Sequence, residues 1–305
     1  MVASPNRQSA SEWISAAARR LRRAHAFFGH GAQTAEEEAL WVLAHASRKL
    51  PQRLMSELDR PASAAHRRHA DELIAARIRS RKPAAYLMRE AWLEGRRFYV
   101  DERVIVPRSF IAGLLSDGLE PWLPVKVQSV LDMCTGSGCL AIIAAKRFPA
   151  TRVDAVDLSE DALAVAAINL KRHRLGQRIR LGRSDLFEHL PPHGYDLILS
   201  NPPYVDAKSM RALPSEYRHE PALALAGGRD GLDLVRRIIS ATPRFLSPQG
   251  LLVVEIGHNR EALEHAYPRT AFTWLETPAG DGFVFLLTRQ QALEAVSAVP
   301  GKKRG

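Results

Sequence analysis

An amide, two prolines and a phenol ring follow one another at Asn201, Pro202, Pro203 and Tyr204, close behind the largely apolar run Tyr195 to Leu199. The run has the length and composition of a β-strand. Proline cannot donate a hydrogen bond to a neighbouring strand and fixes its own backbone, so the chain is held rigidly where the strand ends. The pattern predicts a small, stiff binding edge that presents Asn201 and Tyr204.

A glycine-containing turn marks the end of the first predicted strand of the same region. Gly136 and Gly138 lie in the segment D-M-C-T-G-S-G-C, which runs from Asp132 to Cys139 and includes Cys134. In a doubly wound sheet this turn lies at the carboxyl edge of the strands, where ligands bind, and glycine allows close backbone approach. Glycines also shape turns that bind nothing, so this segment alone leaves both interpretations open.

Carboxylates at neighbouring strand ends favour a nucleoside cofactor. Asp157 follows the second strand, 19 residues after Gly138, where an acid can accept both ribose hydroxyls of an adenosine. Asp185 follows the third strand and can accept the adenine amine; a turn aspartate is the alternative. Asp132 suits the cationic amino group of a methionine better than the phosphates of a dinucleotide. The combination, with Asn201 at the same edge, favours S-adenosylmethionine.

The strand ends and the N-P-P-Y tetrapeptide together resemble the amino-methyltransferase branch of the S-adenosylmethionine-dependent Rossmann-like enzymes. The resemblance implies that the side-chain oxygen of Asn201 and the carbonyl of Pro202 accept the two N–H bonds of a planar nitrogen. Pro203 would keep these acceptors rigid, and Tyr204 would stack on the planar group. No general base is needed before transfer, because the proton becomes acidic only once the nitrogen carries positive charge. A strand-ending turn without a binding role is the alternative.

The stretch of some 25 residues between Tyr204 and Asp230 has little regular pattern and predicts a substrate lid. It contains E-P-A-L-A-L, which begins at Glu220 and Pro221 and resembles the E-P-x-x-A-L segment of the peptide-glutamine N(5)-methyltransferases, the HemK or Prm family. The run Val104 to Arg108 resembles the linker of that family. The resemblance covers about residues 30–290 and implies that Glu220 and Pro221 shape the lid and bind substrate.

The segment Asp132 to Cys139 is similar to the branch of this family that acts on the large-subunit ribosomal protein L-three. Phe110 and Gly113 depart from the family pattern, which favours proline and an acid there, so no substrate contact is carried over for that segment. The implied reaction is methyl transfer from S-adenosylmethionine to the side-chain amide nitrogen of a glutamine in L-three. Three alternatives stay open: the same chemistry on a peptide release factor, N-methylation of an exocyclic amine of an RNA or DNA base, and a non-catalytic ribosome-assembly factor.

The elements that must position these residues fall into four parts. Apolar residues at helical spacing predict a helical substrate-recognition domain over residues 1–90. Residues 91–124 read as a linker of a β-hairpin and a helix. Alternating strands and helices over 125–290 predict the class α/β, a Rossmann-like seven-stranded methyltransferase domain whose last strand the resemblance makes antiparallel, and a basic tail follows over 291–305. Further predictions are turns at Gly95 to Arg97 and Gly280 to Gly282, a helix at Leu232 to Phe245 and a strand at Gly250 to Ile256.

The distribution of charge bears on the partners. The 305 residues carry a net charge of +10, and the first 110 of them hold 20 Lys+Arg against 12 Asp+Glu. Such a basic surface attracts nucleic acid or a ribonucleoprotein. It therefore fits L-three presented within a ribosome-assembly intermediate with ribosomal RNA; solvated helix faces are the alternative.

Composition argues against several other classes of protein. No apolar run approaches the roughly 18 residues that a membrane span needs. The two cysteines, Cys134 and Cys139, predict no disulfide framework and no metal site, and they fit a cytoplasmic protein. The Arg-rich start of the chain reads as an amphipathic first helix rather than a transit peptide.

Overall fold

A helical bundle forms the first part of the chain. The computed structural model describes residues 8–117, 119–123, 126–192 and 194–298. The bundle consists of α1 (Ala10–Arg23), α2 (Ala35–Ala46), α3 (Pro51–Met55), α4 (Ala64–Ser80) and α5 (Ala84–Met88). Trp13, Leu21 and Ile74 are buried in its core, because apolar residues at helical spacing place one face of each helix inward. Ser9 and Glu12 form a capping box at the start of α1.

A short antiparallel hairpin of β1 (Ala91–Leu93) and β2 (Arg96–Phe98) follows the bundle, and the predicted hairpin linker is thereby confirmed. The predicted turn at Gly95 to Arg97 is wrong in its bounds, because the turn consists of Glu94 and Gly95 while Arg96 and Arg97 belong to β2. Glu94 and Gly95 adopt positive φ, 47° and 64°, which a two-residue hairpin turn of the favoured twist requires. Extended chain then leads to α6 (Ile111–Asp117).

The described residues include one seven-stranded sheet with the strand order β5-β4-β3-β6-β7-β9-β8. Its strands are β3 (Ser129–Met133), β4 (Arg152–Asp157), β5 (Ile179–Arg183), β6 (Tyr195–Ser200), β7 (Leu246–Glu255), β8 (Thr273–Thr277) and β9 (Gly280–Thr288). The strands β3 to β7 pair in parallel, whereas β9 runs antiparallel to both β7 and β8. The predicted α/β class, the Rossmann-like seven-stranded sheet and its antiparallel last strand are confirmed.

Helices cover both faces of the sheet. They are α7 (Cys139–Arg147), α8 (Glu160–His173), α10 (Asp233–Ala241), α11 (Arg260–Ala266) and α12 (Arg289–Ala298), and α9 (Ala207–Ala212) lies outside these layers. One apolar core packs α6 and α7 on the sheet, and a second packs α10, α11 and α12 on its other face. Parallel strands buried on both faces are nearly continuous apolar runs, as in β6 and β7. Among the described residues no helix is both long and apolar enough to span a bilayer.

The final hairpin differs from its prediction. The turn consists of Pro278 and Ala279, and Gly280 to Gly282 belong to β9 instead of forming the turn. The pairing register of β8 and β9 shifts between Leu275 and Glu276, because β9 contains extra residues at this point and the strand pair is irregular. Gly280 and Gly282 have φ values of 109° and 108°, which is why glycine occurs here without a turn.

Other boundaries are corrected as well. The strand predicted from Gly250 begins at Leu246. The helix predicted to reach Phe245 ends at Ala241, because Pro243 lacks the N–H that would continue it. The prediction of a basic tail is wrong for residues 291–298, because these residues belong to α12 and place Ala292 and Ala295 in the core. Residues 299–305 lie outside the described residues, as does the predicted domain boundary at 124/125. The division into domains stays a prediction.

The lid, residues 205–230, is anchored to the helical bundle through Glu216. This carboxylate is fully buried and accepts hydrogen bonds from the backbone N–H of Phe27 at 3.0 Å and from Arg77 at 3.2 Å. Arg81 pairs with it at 2.8 Å, and Arg77 also pairs with the buried Glu38 at 3.0 Å. The buried ion pairs therefore join two segments that lie far apart in the sequence.

Replacing Glu216 by Gln should lower the free energy of unfolding by about 3 kcal/mol, because Arg77 and Arg81 lose a carboxylate that is shielded from water. Chemical denaturation measures the change. Glu72→Gln is the matched control, since Glu72 is exposed and its ion pair with His69 lies at the surface; it should stay within about 0.5 kcal/mol of the parent. A loss in Glu216→Gln no larger than in the control would show that this carboxylate does not anchor the lid.

Candidate active site

A cavity of about 450 Å³ opens at the carboxyl ends of the parallel strands, on the side that the sequence predicts. The β3–α7 turn, the ends of β4 and β6, and the lid all contribute to its wall. The predicted site residues that line it are Cys134, Gly136, Asp157, Asp185, Asn201, Pro203 and Pro221. The predicted Asp132, Gly138, Pro202, Tyr204 and Glu220 do not reach this wall.

Asp157, at the end of β4, fixes the loops around the cavity. Its two carboxylate oxygens accept the backbone N–H groups of Gly136 and Ser159, each at 2.9 Å. Burial raises its pKa, which these hydrogen bonds oppose. Asp157 thus lines the cavity and at the same time ties the glycine turn to the next strand end.

Asp132 lies behind the cavity wall and is completely buried. One of its oxygens accepts the hydroxyl of Thr135 at 2.5 Å and the N–H of Ala141 at 2.9 Å, and the other has no partner among the described residues. Burial raises its pKa to about 7. Gly138 is likewise behind the wall, where a Cβ would lie 3.2 Å from Ala166. These two residues brace the turn and do not line the cavity.

Asp185 shares its corner of the cavity with a cation. Arg237 on α10 lies 3.0 Å from its carboxylate and also lines the cavity. Cys134 also lines the cavity, with a backbone φ of 57°, and burial raises the pKa of its thiol. Asp185 therefore lines the cavity with its charge partly compensated by Arg237. It follows the third strand, where the sequence predicts a contact with the adenine amine.

A second, narrower cavity of about 120 Å³ adjoins the first, and Asn201 lines both. Pro202 and Tyr204 line only the smaller one, together with Arg108 and Tyr217. Among the described residues no hydrogen bond occupies the side-chain amide of Asn201, so its oxygen is available to a ligand. Asn201 therefore lies at the junction of the two cavities.

The Tyr204 ring is held from several sides. Its hydroxyl donates to Glu255 at 3.3 Å, and its backbone carbonyl accepts from Asn259 at 2.7 Å. Gly257 lies against the ring, and a Cβ there would come within 2.6 Å of it. The aromatic ring predicted to flank the substrate is therefore fixed by the last residue of β7 and by residues that follow this strand.

Glu220 faces away from both cavities. Its carboxylate is buried and forms two hydrogen bonds with Arg108, at 2.6 and 2.7 Å, and a third with the N–H of Val106 at 3.0 Å. Arg108 and these bonds hold the pKa of Glu220 below its usual range despite the opposing effect of burial. Such contacts fit the predicted role in shaping the lid and do not fit direct contact with substrate. Pro221, the next residue, does line the larger cavity.

Sequence reasoning missed several residues of the site. Arg108 ends the run Val104 to Arg108, which carries the family resemblance, and Tyr217 lies three residues before the E-P-A-L-A-L segment. Glu255 and Arg237 lie within a regular strand and helix, and no local pattern distinguishes them. Their importance follows only from partners that are distant in the sequence.

The residues around the larger cavity fit S-adenosylmethionine. Asp157 stands at the strand end where ribose hydroxyls would be accepted, with Gly136 close enough for backbone approach. Three carboxylates, Asp157, Asp185 and Asp233, line this cavity against two cations, Arg103 and Arg237. This donor set suits a cofactor with a cationic amino acid arm better than a pyrophosphate.

The comparisons with known proteins agree with this geometry. The model of the methyltransferase small domain matches residues 114–215. The ribosomal protein uL3 glutamine methyltransferase of Bordetella pertussis is 51% identical, covering 93% of this chain and 96% of the relative. The enzyme of the same name from Neisseria gonorrhoeae is 53% identical over 90% of this chain and 92% of the relative, and that from Bradyrhizobium diazoefficiens is 45% identical over 90% and 88%.

The chain belongs to the ribosomal protein uL3 glutamine methyltransferase family. Membership in this family confirms the family resemblance, the enzyme class and S-adenosylmethionine as the cofactor. The individual site residues stay predictions, supported by their places around the two cavities.

Replacing Gly257 by Ala should lower kcat by about 10-fold or more, because a Cβ displaces the Tyr204 ring from its place beside Asn201. Gly176→Ala is the control, since nothing lies within 4 Å of a Cβ at that position. Steady-state rates and cofactor binding are measured for both variants. If Gly257→Ala turns over like Gly176→Ala, the position of the ring does not matter for transfer.

His30 connects the helical bundle with the small cavity. It is buried, its ring lies 4.4 Å from that of Tyr217, and one ring nitrogen is 3.8 Å from Glu220. Burial lowers its pKa to about 4, although the charge of Glu220 acts in the opposite direction. The unfolded chain therefore binds a proton below about pH 6.5 that the folded state does not bind until near pH 4.

The wild-type protein should consequently lose stability as the pH falls from 6.5 towards 4. Between pH 7.5 and pH 5 the free energy of unfolding of the wild type should fall by about 2 kcal/mol because of His30. The His30→Leu variant should not show this loss. Denaturant unfolding at both pH values measures the difference, with His69→Leu as an exposed control. Equal pH dependence in wild type and His30→Leu would contradict the neutral, buried state of this imidazole.

Proposed function

We propose that this chain transfers a methyl group from S-adenosylmethionine to the side-chain amide nitrogen of a glutamine in ribosomal protein uL3, the large-subunit protein L-three. The observation that carries the proposal is Asn201 at the junction of a larger cavity and a narrower one. The larger cavity fits the cofactor and the narrower one fits an aliphatic side chain that ends in an amide. The names of the relatives supply the identity of the protein substrate.

The chemistry requires an oriented nitrogen, because the lone pair of an amide is delocalised into the carbonyl. When bound, S-adenosylmethionine supplies an electrophilic methyl group on a sulfonium. The side-chain oxygen of Asn201 and the carbonyl of Pro202 would each accept one N–H of the glutamine amide, which orients the nitrogen towards the larger cavity. Tyr204 packs beside the amide, and Pro203 keeps both acceptors rigid.

The helical bundle supports recognition of the protein substrate. Phe27 lies 5.7 Å and His30 lies 4.4 Å from the Tyr217 ring, measured between ring centroids. Tyr217 lines the narrow cavity, so residues of the bundle stand next to the path by which a glutamine enters. We infer that this part of the chain contacts the polypeptide around the modified glutamine.

The alternatives are disfavoured by the relatives and distinguished by experiment. The names of the relatives favour uL3 over a release factor as the protein substrate. A nucleic-acid base methyltransferase would act on naked RNA or DNA, and a non-catalytic assembly factor would bind ribosomal precursors without turnover. We place the reaction in the cytoplasm, on uL3 either free or in an assembly intermediate with ribosomal RNA.

Replacing Asn201 by Ala should lower turnover with uL3 by about 100-fold or more, because the amide loses an acceptor that orients it. Affinity for S-adenosylmethionine should change by no more than a few-fold, since the rest of the larger cavity is intact. Turnover is followed with purified uL3, and cofactor affinity by calorimetry. Loss of cofactor binding to the same degree as turnover would contradict the assigned role.

A further inference from the structure

Glu255 is a buried carboxylate that the reaction as described leaves unused. It is the last residue of β7 and only 2% of its surface is exposed. One oxygen accepts the Ser109 hydroxyl at 2.6 Å and the backbone N–H of Phe110 at 2.9 Å. The other accepts the Tyr204 hydroxyl at 3.3 Å. All these hydrogen bonds run to the segment before α6 or to the N-P-P-Y segment.

We propose that Glu255 is a positioning residue for methyl transfer, which fixes the Tyr204 ring through its hydroxyl beside the glutamine amide. This inference rests on the proposed function of the site. The backbone of Tyr204 is held by Asn259 and one ring edge lies against Gly257, while the hydroxyl at the far end of the ring hydrogen-bonds to Glu255. Because Tyr204 lines the narrow cavity, a shift of that end alters the space for the amide.

Phe110 gives Glu255 a donor that proline cannot supply. Proline has no backbone N–H and could not form this hydrogen bond. The Phe110 side chain packs edge-on against Phe283, with ring centroids 5.4 Å apart. Phe110→Pro therefore removes both the N–H and the ring, whereas Phe110→Leu removes the ring and keeps the N–H. The pair of variants isolates the hydrogen bond.

The charge state of Glu255 should make kcat depend on pH. Burial raises the pKa of Glu255 to about 7, while hydrogen bonds from Ser109, Phe110 and Tyr204 and the charge of Arg108 lower it. The ionised carboxylate accepts a charge-assisted hydrogen bond from the Tyr204 hydroxyl, whereas the protonated carboxyl forms only a weaker neutral hydrogen bond with it. The hold on the ring should therefore weaken as the pH falls through this pKa.

A double-mutant cycle with Glu255→Gln and Tyr204→Phe tests the coupling. In Glu255→Gln the amide oxygen must face the two donors Ser109 and Phe110, so the NH₂ group donates to the Tyr204 hydroxyl oxygen and a weaker neutral hydrogen bond of reversed direction replaces the charge-assisted one. Glu255→Gln should lower kcat for uL3 by about 10- to 100-fold with cofactor affinity within a few-fold of wild type. The double variant should be no slower than the slower single variant.

Two outcomes of the cycle would overturn the inference about Glu255 and leave the proposed function intact. One is wild-type kcat in Glu255→Gln, and the other is additive losses in the double variant together with a lowered melting temperature, which a merely structural role produces. Wild-type enzyme without any transfer to uL3 would instead overturn the proposed function and this inference with it.

The pH profile of kcat provides the second test. Losing the Phe110 N–H removes one of the bonds that lower the pKa of Glu255, so the acid limb of the profile should move to higher pH in Phe110→Pro. In Phe110→Leu the limb should stay where the wild type has it, and in Glu255→Gln it should disappear. Identical acid limbs in Phe110→Pro and Phe110→Leu, or an acid limb retained in Glu255→Gln, would overturn the inference.

Discussion

Two buried carboxylates hold the five-residue segment Val106 to Phe110, and the arrangement of the active site depends on those hydrogen bonds. Glu220 of the lid accepts from Val106 and Arg108, and Glu255 of β7 accepts from Ser109 and Phe110. The first carboxylate fixes the lid above the cavities, and the second fixes Tyr204 beside Asn201. Each is tolerated in the interior because charge-assisted hydrogen bonds satisfy it.

The two cavities are built from different parts of the fold. The larger one is formed by strand ends and the turn after β3, whose positions follow from the parallel sheet, together with residues of the lid and α10. The narrower one is formed where the lid, the segment before α6 and the N-P-P-Y residues meet, and Glu216 ties that lid to the helical bundle. The lid therefore contributes to both cavities, and Ile105, Asn201 and Ala224 line both.

The sequence predicted the features that local patterns determine. Alternating strands and helices define the sheet, and because the carboxyl ends of parallel strands share one edge, Asp157, Asp185 and Asn201 could be expected to converge. Long-range pairs could not be predicted: 112 residues separate Arg108 from Glu220, and 146 separate Ser109 from Glu255. The sequence also does not reveal that Asp132, near the end of β3, has a fully buried side chain; its role toward the cofactor stays a prediction.

The central claim is that the site orients a glutamine amide of uL3 for methyl transfer. Its most direct test is transfer from methyl-labelled S-adenosylmethionine to total ribosomal protein and, separately, to purified RNA, both from cells that lack the enzyme. The account predicts label in one large-subunit protein, uL3, mapped by mass spectrometry to a glutamine side chain. Label confined to RNA would mean that Asn201 and Pro202 orient a base amine, and would contradict the account.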